Sequence, residues 1–506
     1  MVRFALFLLF LLPFGSVLGE VRLPNVYSDH AVLQREKPIH IWGFSAPGEK
    51  VQVDFHDQHL KTTATDLGLW EVYLRPEEAG GPYTLRAAGS STKSAVERVD
   101  ILVGDIWFAS GQSNMEMPLQ GWDSAPIRDS AKEIRDANFP KIRLLLQRRR
   151  AAAVPQFDTE DMWQICSPET AKRFSAVAYF FGRKIMQEED VPIGLIDSTW
   201  GGTPAHSWIS QEGIAWANLP SVMNDSGNIT RQQGEADAIR ENYKMQDAAM
   251  QAIGQTPSSH ARLSGDRLGA WLPSALFNGM ISPFMAFTIK GWIWYQGEAD
   301  TEIYRVGSYS RVFPALISDW RNQWHEGELP FLFAQISSFD QPKNEWGCVR
   351  DAQRRALDIS QTGMAVTLDI GEPHNIHPAN KQEVGDRLAR VALGMAYHRG
   401  SKGLSPTFSQ ISTETDAIRV WFTDADGLTS RNQPLDGFEI AGEDGHFVSA
   451  FAKIEMIGNE STILLSSPSV PVLKRARYGW MSYVSQYVWN SAGLPLGTFT
   501  SEKSCQ

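Results

Sequence analysis

The chain has 506 residues, 42% of them hydrophobic and 21% charged, with a formal net charge of −11. That length is room for about two to four folded units, and the balance suits packed cores rather than disorder. The acidic surplus argues against a nucleic-acid partner, for which a basic footprint is expected; the run Arg148-Arg149-Arg150 is the one basic cluster and reads as a solvated face.

Arg3 precedes an apolar run from Phe4 to Phe14, then Gly15-Ser16-Val17-Leu18-Gly19. A positive start, a short apolar stretch and small residues read as a secretory signal over residues 1–19, cut after Gly19. The run is short for a membrane span, and no later stretch is apolar enough. The mature protein is therefore expected to be secreted or periplasmic (lumenal in a eukaryote), with no membrane partner after cleavage. Three cysteines, Cys166, Cys348 and Cys505, leave room for one bridge without saying which. No CxxC pair or HExxH run is present, so a protein-bound zinc site has little support, and no cofactor is expected. Asn224, Asn228 and Asn459 open glycosylation sequons.

Residues 20–100 read as a small β-sandwich. Ile39–Gly43, Val51–Phe55, Trp70–Leu74 and Tyr83–Ala87 alternate as half-buried strands do, with turns at Ala46-Pro47-Gly48 and Gly80-Gly81-Pro82. Trp42, Trp70 and Tyr73 are placed in its core, with sugar stacking as the rival role.

From residue 101 to 403 the pattern is α/β. Strands are expected at Leu102–Ser110, Lys141–Leu146, Ile193–Asp197, Phe287–Tyr295, Phe331–Ser337 and Met364–Ile370. Helices are expected at Phe174–Gln187, Tyr309–Trp324, Cys348–Ile359 and Lys381–Tyr397. Continuous apolar strands alternating with helices indicate a parallel sheet covered on both faces, whose sites form at the carboxyl ends of its strands. A polar insertion at about 210–268, with a surface helix at Glu235–Gln251, reads as a lid or substrate wall, or equally as a disordered loop. Residues 404–506 return to β character, with strands at Ile418–Phe422, Gly437–Ala441 and Thr462–Leu465.

Four turns at the strand ends carry chemistry. The first is Gly111-Gln112-Ser113-Asn114, where a serine past a core strand suits a nucleophile; a Ser-Asn helix cap is the structural alternative. The second, Ser198–Pro204, holds Gly201 and Gly202, whose N–H groups suit an oxyanion. The third carries Gln296 and Glu298, and the fourth Glu372, His374 and His377. A hydroxyl attacks poorly until a base takes its proton, and histidine titrates near working pH. The set therefore reads as Ser113 nucleophile, His377 base, and Gln296, Gly201 and Gly202 around the oxyanion, with Asn114 and Glu298 in the substrate vicinity.

Gly111–Glu116, Trp200–Ala205, Trp294–Glu298, Ile376-His377-Pro378 with Lys381, Arg387-Leu388-Ala389 and the terminal Gly493-Leu494-Pro495 together resemble the sialate O-acetylesterase family of SGNH-type hydrolases. The resemblance spans nearly the whole mature chain. It implies a flavodoxin-like SGNH hydrolase domain flanked by N- and C-terminal β-rich domains, and a metal-free serine esterase acting on O-acetylated sugars or glycans. It assigns the nucleophile to Ser113, the base to His377 and the side-chain oxyanion donor to Gln296. The acid partner departs from the pattern: His374 and Asn375 stand where an Asp is expected. Glu372 and Asp369 are the nearest local carboxylates to orient His377; a dyad is equally compatible. Rival functions are an acetylxylan or other plant-polysaccharide acetylesterase and a non-catalytic carbohydrate-binding protein. Oligomeric state is not legible.

Overall fold

The computed structural model describes residues 20–90, 94–219, 222, 269–400 and 404–505, with the backbone alone at Tyr304. The expected signal segment 1–19, the helix at 235–251 with most of the 210–268 insertion, and the sequons at Asn224 and Asn228 lie outside the described residues. Among the described residues, no helix is long and apolar enough to cross a membrane.

The first strands are β1 (Val32–Gln34), β2 (Ile39–Phe44), β3 (Lys50–Phe55), β4 (Gln58–Thr63), β5 (Leu69–Leu74) and β6 (Gly80–Gly89). β2 and β5 form one antiparallel ladder, while β4, β3 and β6 form another that continues onto β7 (Ala95–Gly111). β7 crosses the expected unit boundary at residue 100 without a break and ends at the Ser113 turn. Its first half alternates in burial and its second half is buried throughout, because one sheet face meets water in the first and both are covered in the second. Of the three aromatics assigned to this core, Trp70 is buried and Trp42 packs edge-on against Tyr27, but Tyr73 is exposed and stacks on His40 at 4.4 Å.

Further along are β8 (Phe139–Leu146), β9 (Gln164–Cys166), β10 (Ile193–Thr199), β11 (Gly291–Tyr295), β12 (Phe331–Gln335) and β13 (Thr362–Val366). Together with β7 they run in the order β13-β12-β11-β7-β10-β8-β9, all parallel except β9. Ranked by chain position, the six parallel strands lie 2-3-1-4-5-6, where the flavodoxin-like order runs 2-1-3-4-5. The burial pattern accounts for the exchange: β10 is buried at every position and takes an interior place, while β8 has exposed positions and lies near the edge beside β9. The order reverses at β7 and β11, the switch point where sites form.

Helices α1 (Ser113–Glu116), α2 (Ala176–Glu189), α3 (Ile303–Trp324), α4 (Trp346–Arg355) and α5 (Lys381–Met395) follow these strands. Trp107 and Phe108, adjacent on β7, show both faces covered: Trp107 meets Phe181 of α2 at 5.0 Å and Phe108 meets Trp324 of α3 at 5.7 Å. Burying one such aromatic side chain stabilises the fold by about 1.5–3 kcal/mol. Strand β13 stops at Val366, four residues short of the expected end, and Leu368–Ile370 is a single 3-10 turn.

The C-terminal residues form two four-stranded sheets. The buried Arg350 guanidinium donates to the carbonyls of Ile336, Ser337, Gly479, Met481 and Ser482, joining α4 to this region. A disulfide joins Cys348 to Cys505 across 5.5 Å between Cα atoms. Cys166 is a buried thiol that burial pushes up to about 12.

Candidate active site

Gly111 ends β7 at φ +134°, where a Cβ would lie 2.2 Å from the Tyr295 carbonyl oxygen. Only glycine fits there, and the Gln112 N–H then donates to the same oxygen at 3.0 Å. The chain turns into α1 with Ser113 at its first position, so the Ser113 N–H has no intrahelical partner. Gln112 Oε1 accepts from the N–H groups of Gly297 at 3.3 Å and Ala299 at 3.2 Å, which ties the first turn to the third. Below α1, Ser175 caps α2 and donates to the Met115 carbonyl at 2.6 Å. Asp197, which burial pushes up to about 7, accepts the Ser175 N–H at 3.0 Å.

In the second turn, Trp200 N–H donates to the Gly111 carbonyl at 3.1 Å. A Cβ on Gly201 would lie 3.1 Å from Ser113 Cβ, so this glycine lets the turn approach the serine. Its N–H, however, donates to Glu116 Oε2 at 2.9 Å and is not free for an oxyanion. Gly202 sits at φ +72°, and among the described residues its N–H has no hydrogen-bond partner.

Gln296 is fully buried, and its Nε2 donates to the Thr203 carbonyl at 3.2 Å and to Asp300 Oδ2 at 2.5 Å. An amide has two hydrogens, and both are engaged. The side chain expected to hold the oxyanion therefore holds the Gly201-Gly202 turn in place through Thr203.

Asn114 and Glu298 come together beneath the serine. Asn114 Nδ2 donates to Glu298 Oε1 at 2.5 Å and to the Ile376 carbonyl at 3.0 Å. Burial pushes the Glu298 carboxyl up, opposed by Asn114 and Lys381. These contacts make Asn114 and Glu298 framework of the site rather than a wall facing substrate.

The Ile376 contact brings the His377 loop to the Ser113 turn. Trp122 packs edge-on to the His377 ring at 4.9 Å. Burial, and then the nearby Lys381 charge, lower the imidazole to about 4, so it is neutral at ordinary pH. Among the described residues neither the Ser113 hydroxyl nor the His377 ring makes a hydrogen bond, and both residues are half-buried.

The two expected orienting acids do not reach the ring. Glu372 accepts the Ala379 N–H at 2.8 Å and the Asn375 side chain at 3.3 Å, closing the loop on itself. Asp369 is held in a two-pronged pair with Arg387 at 2.6 and 2.9 Å and by Trp489 at 3.2 Å. A buried guanidinium captures the nearest carboxylate, which takes Asp369 away from His377. Asn375 Oδ1 instead accepts the His377 backbone N–H at 3.0 Å.

A cavity of about 630 Å³ reaches the site through Glu116, Trp122 and Thr199, without Ser113 or His377 in its lining; Arg148, Arg149, Glu160, Asp161, Glu169 and Arg173 supply its charged groups. The arginine run is thus part of a cleft wall: Arg149 pairs with Glu116 at 2.6 Å and lies over the Trp200 ring, and Arg148 pairs with Asp161 at 2.9 Å. Glu116 and Lys381 were legible only as motif letters. Glu116 sits one helical turn after Ser113, and Lys381 four residues after His377; that spacing was the available signal.

A family model described as a carbohydrate esterase, sialic acid-specific acetylesterase, matches residues 244–394. The sialate O-acetylesterase of Pongo abelii is 30% identical over 428 residues, 76% of this chain and 72% of that one. The chain belongs to the sialate O-acetylesterase family. Within that family, the rat (Rattus norvegicus) sialate O-acetylesterase is 27% identical over 536 residues, covering 96% of this chain and 95% of its own. A solved carbohydrate acetylesterase from Xanthomonas citri superposes with a TM-score of 0.80 at 30% identity, over 96% of this chain and 100% of that one.

Proposed function

We propose that this member of the family hydrolyses O-acetyl esters on sugars through an acetyl-enzyme formed on Ser113. Family membership makes the chain a carbohydrate O-acetylesterase; the assignment of steps to residues is our reading. Ser113 Oγ attacks the acetyl carbonyl while His377 takes its proton. The oxyanion is held by the N–H groups of Ser113 and Gly202, with Gln296 bracing the second turn. Collapse expels the sugar alkoxide, which takes the proton from imidazolium. Water, activated by the same imidazole, then releases acetate and restores Ser113. The observation that carries this reading is the Asn114–Ile376 bond at 3.0 Å, which links the residue after the serine to the residue before the histidine. Among the described residues no carboxylate touches the imidazole, so the reading is a Ser-His dyad with the ring half-buried against Trp122.

The same reading takes residues 101–403 as an SGNH-type domain with its third strand moved inward, flanked by β units over 20–100 and 404–506, and exported by the segment 1–19. The cavity volume suits a sugar. Acetate release is measured across acetylated sialic acid, acetylated xylan and acetylated pectin, with Ser113→Ala in parallel. Loss of release in that variant, with folding intact, supports the mechanism; retention of most activity rejects it. The substrate that releases acetate fastest identifies the sugar.

A further inference from the structure

Lys381 opens helix α5 and is 1% exposed. Its Nζ donates to Asn114 Oδ1 at 2.5 Å. The other end of that amide holds Glu298 and the Ile376 carbonyl, so one side chain joins the nucleophile turn, the β11 turn and the loop of the base. An Asn amide can face either way, and its neighbours decide. With an ammonium on one side and a carboxylate and a carbonyl on the other, a single orientation puts every donor on an acceptor.

A buried ammonium is an expensive way to stabilise a fold; an apolar side chain of the same shape commonly does as well. The charged and titratable groups facing Lys381 are Tyr295 and Glu298 at the end of β11, and Glu372 and His377 in the loop before α5. Arg350 of α4 also acts on Glu298. Burial lowers Lys381 to about 7, with Glu298 and Glu372 opposing. Removing it would leave the Asn114 oxygen without its donor and Glu298 with Arg350 as its remaining cation.

We propose that Lys381 is a positioning residue of the hydrolysis: its ammonium fixes the Asn114 amide, which sets Ser113 against the His377 loop, and puts a positive charge beside the imidazole. This rests on the Ser113–His377 reading of the site. The charge disfavours imidazolium and so keeps His377 an acceptor at mildly acid pH.

The test compares Lys381→Met, Lys381→Gln and Ser113→Ala in the full chain, using 4-nitrophenyl acetate and thermal melting. Lys381→Met is expected to lower kcat by roughly 10- to 100-fold, as small misplacements of reacting groups do, with KM within about threefold. The acid limb of its kcat/KM profile moves to higher pH by about one unit, because a like charge beside His377 is gone. Lys381→Gln keeps a donor for Asn114 but no charge; it recovers most of kcat and keeps the shifted limb. A purely structural lysine would lower the melting temperature and leave the limb where it was. If Lys381→Met does not fold, the limb of Lys381→Gln decides. An unmoved limb in the folded variant, or a Lys381→Met kcat within twofold of the parent, overturns the proposal. An active Ser113→Ala overturns the underlying site reading instead.

Discussion

The Gly201 N–H donates to Glu116 Oε2 at 2.9 Å, so the second turn of the site is anchored on the helix that begins with Ser113. Glu116 Oε1 is in turn held by Arg149 at 2.6 Å, and burial pushes the carboxyl up. Glu116→Gln keeps an acceptor for Gly201 and is expected to leave kcat on 4-nitrophenyl acetate within about threefold. Glu116→Ala frees the turn that carries Gly202 and is expected to lower kcat by roughly 10- to 100-fold, on the scale of a displaced oxyanion donor. Equal losses in the two variants would show that the charge, not the hydrogen bond, matters.

The pH profile follows from His377. Burial and Lys381 lower it to about 4, so its base form persists well below the ordinary histidine range near about 6.5. The acid limb of kcat/KM is expected near pH 4. The stability consequence has a definite sign. Between about 6.5 and about 4 the unfolded chain binds the proton and the folded chain does not, so this residue's contribution falls as pH falls through that window. Kinetics in a constant-ionic-strength buffer series measures the limb, and urea midpoints of the parent against His377→Gln measure the linkage. A limb at the ordinary histidine value contradicts the buried setting.

Asp369 and Glu372 are expected to separate by what each holds. Asp369→Asn breaks a buried pair with Arg387, and losing one partner of such a pair costs about 3–5 kcal/mol. Its signature is a lower Tm with little change in kcat of the folded fraction. Glu372→Gln keeps an acceptor for Ala379 but sets one amide against the Asn375 amide, loosening the His377 loop. Its signature is a kcat several-fold lower with Tm nearly unchanged. Melting and steady-state kinetics on both variants check this; a kcat collapse in Asp369→Asn at full fold would restore Asp369 as the acid.

Gly111→Ala is expected to destabilise the chain by more than about 2 kcal/mol, since the positive φ and the approach to the Tyr295 carbonyl oxygen both resist a methyl group. Because the neighbouring atoms are backbone, no side chain can swing away. Chemical denaturation reads this directly, and a midpoint equal to that of the parent would mean the turn is looser than described.

The six parallel strands were readable because buried strands are written as continuous apolar runs, as in Ile193–Asp197 and Phe331–Ser337. The four strand-end turns were readable because glycine marks where the backbone must turn sharply or approach closely. Strand order was not, since adjacency depends on which strand can be buried on both faces; β10 displaced β8 from the place beside β7. The exposure of Tyr73 was equally hidden, because alternation identifies two faces without saying which is covered.

By itself, the sequence determined the family, the α/β texture between β-rich ends, and the identity of Ser113 and His377 as the reactive candidates, since these depend on residue type and local spacing. Only the tertiary structure decided how the hydrogen bonds are shared out. Gly201 is held by Glu116, Gln296 by Thr203 and Asp300, Asp369 by Arg387, and Asn114 by Lys381 and Glu298. Each of those partners lies far away in the chain or is one of several candidates nearby. A buried polar group pairs with whichever partner folding brings within about 3 Å, and no local pattern of residues encodes that distance.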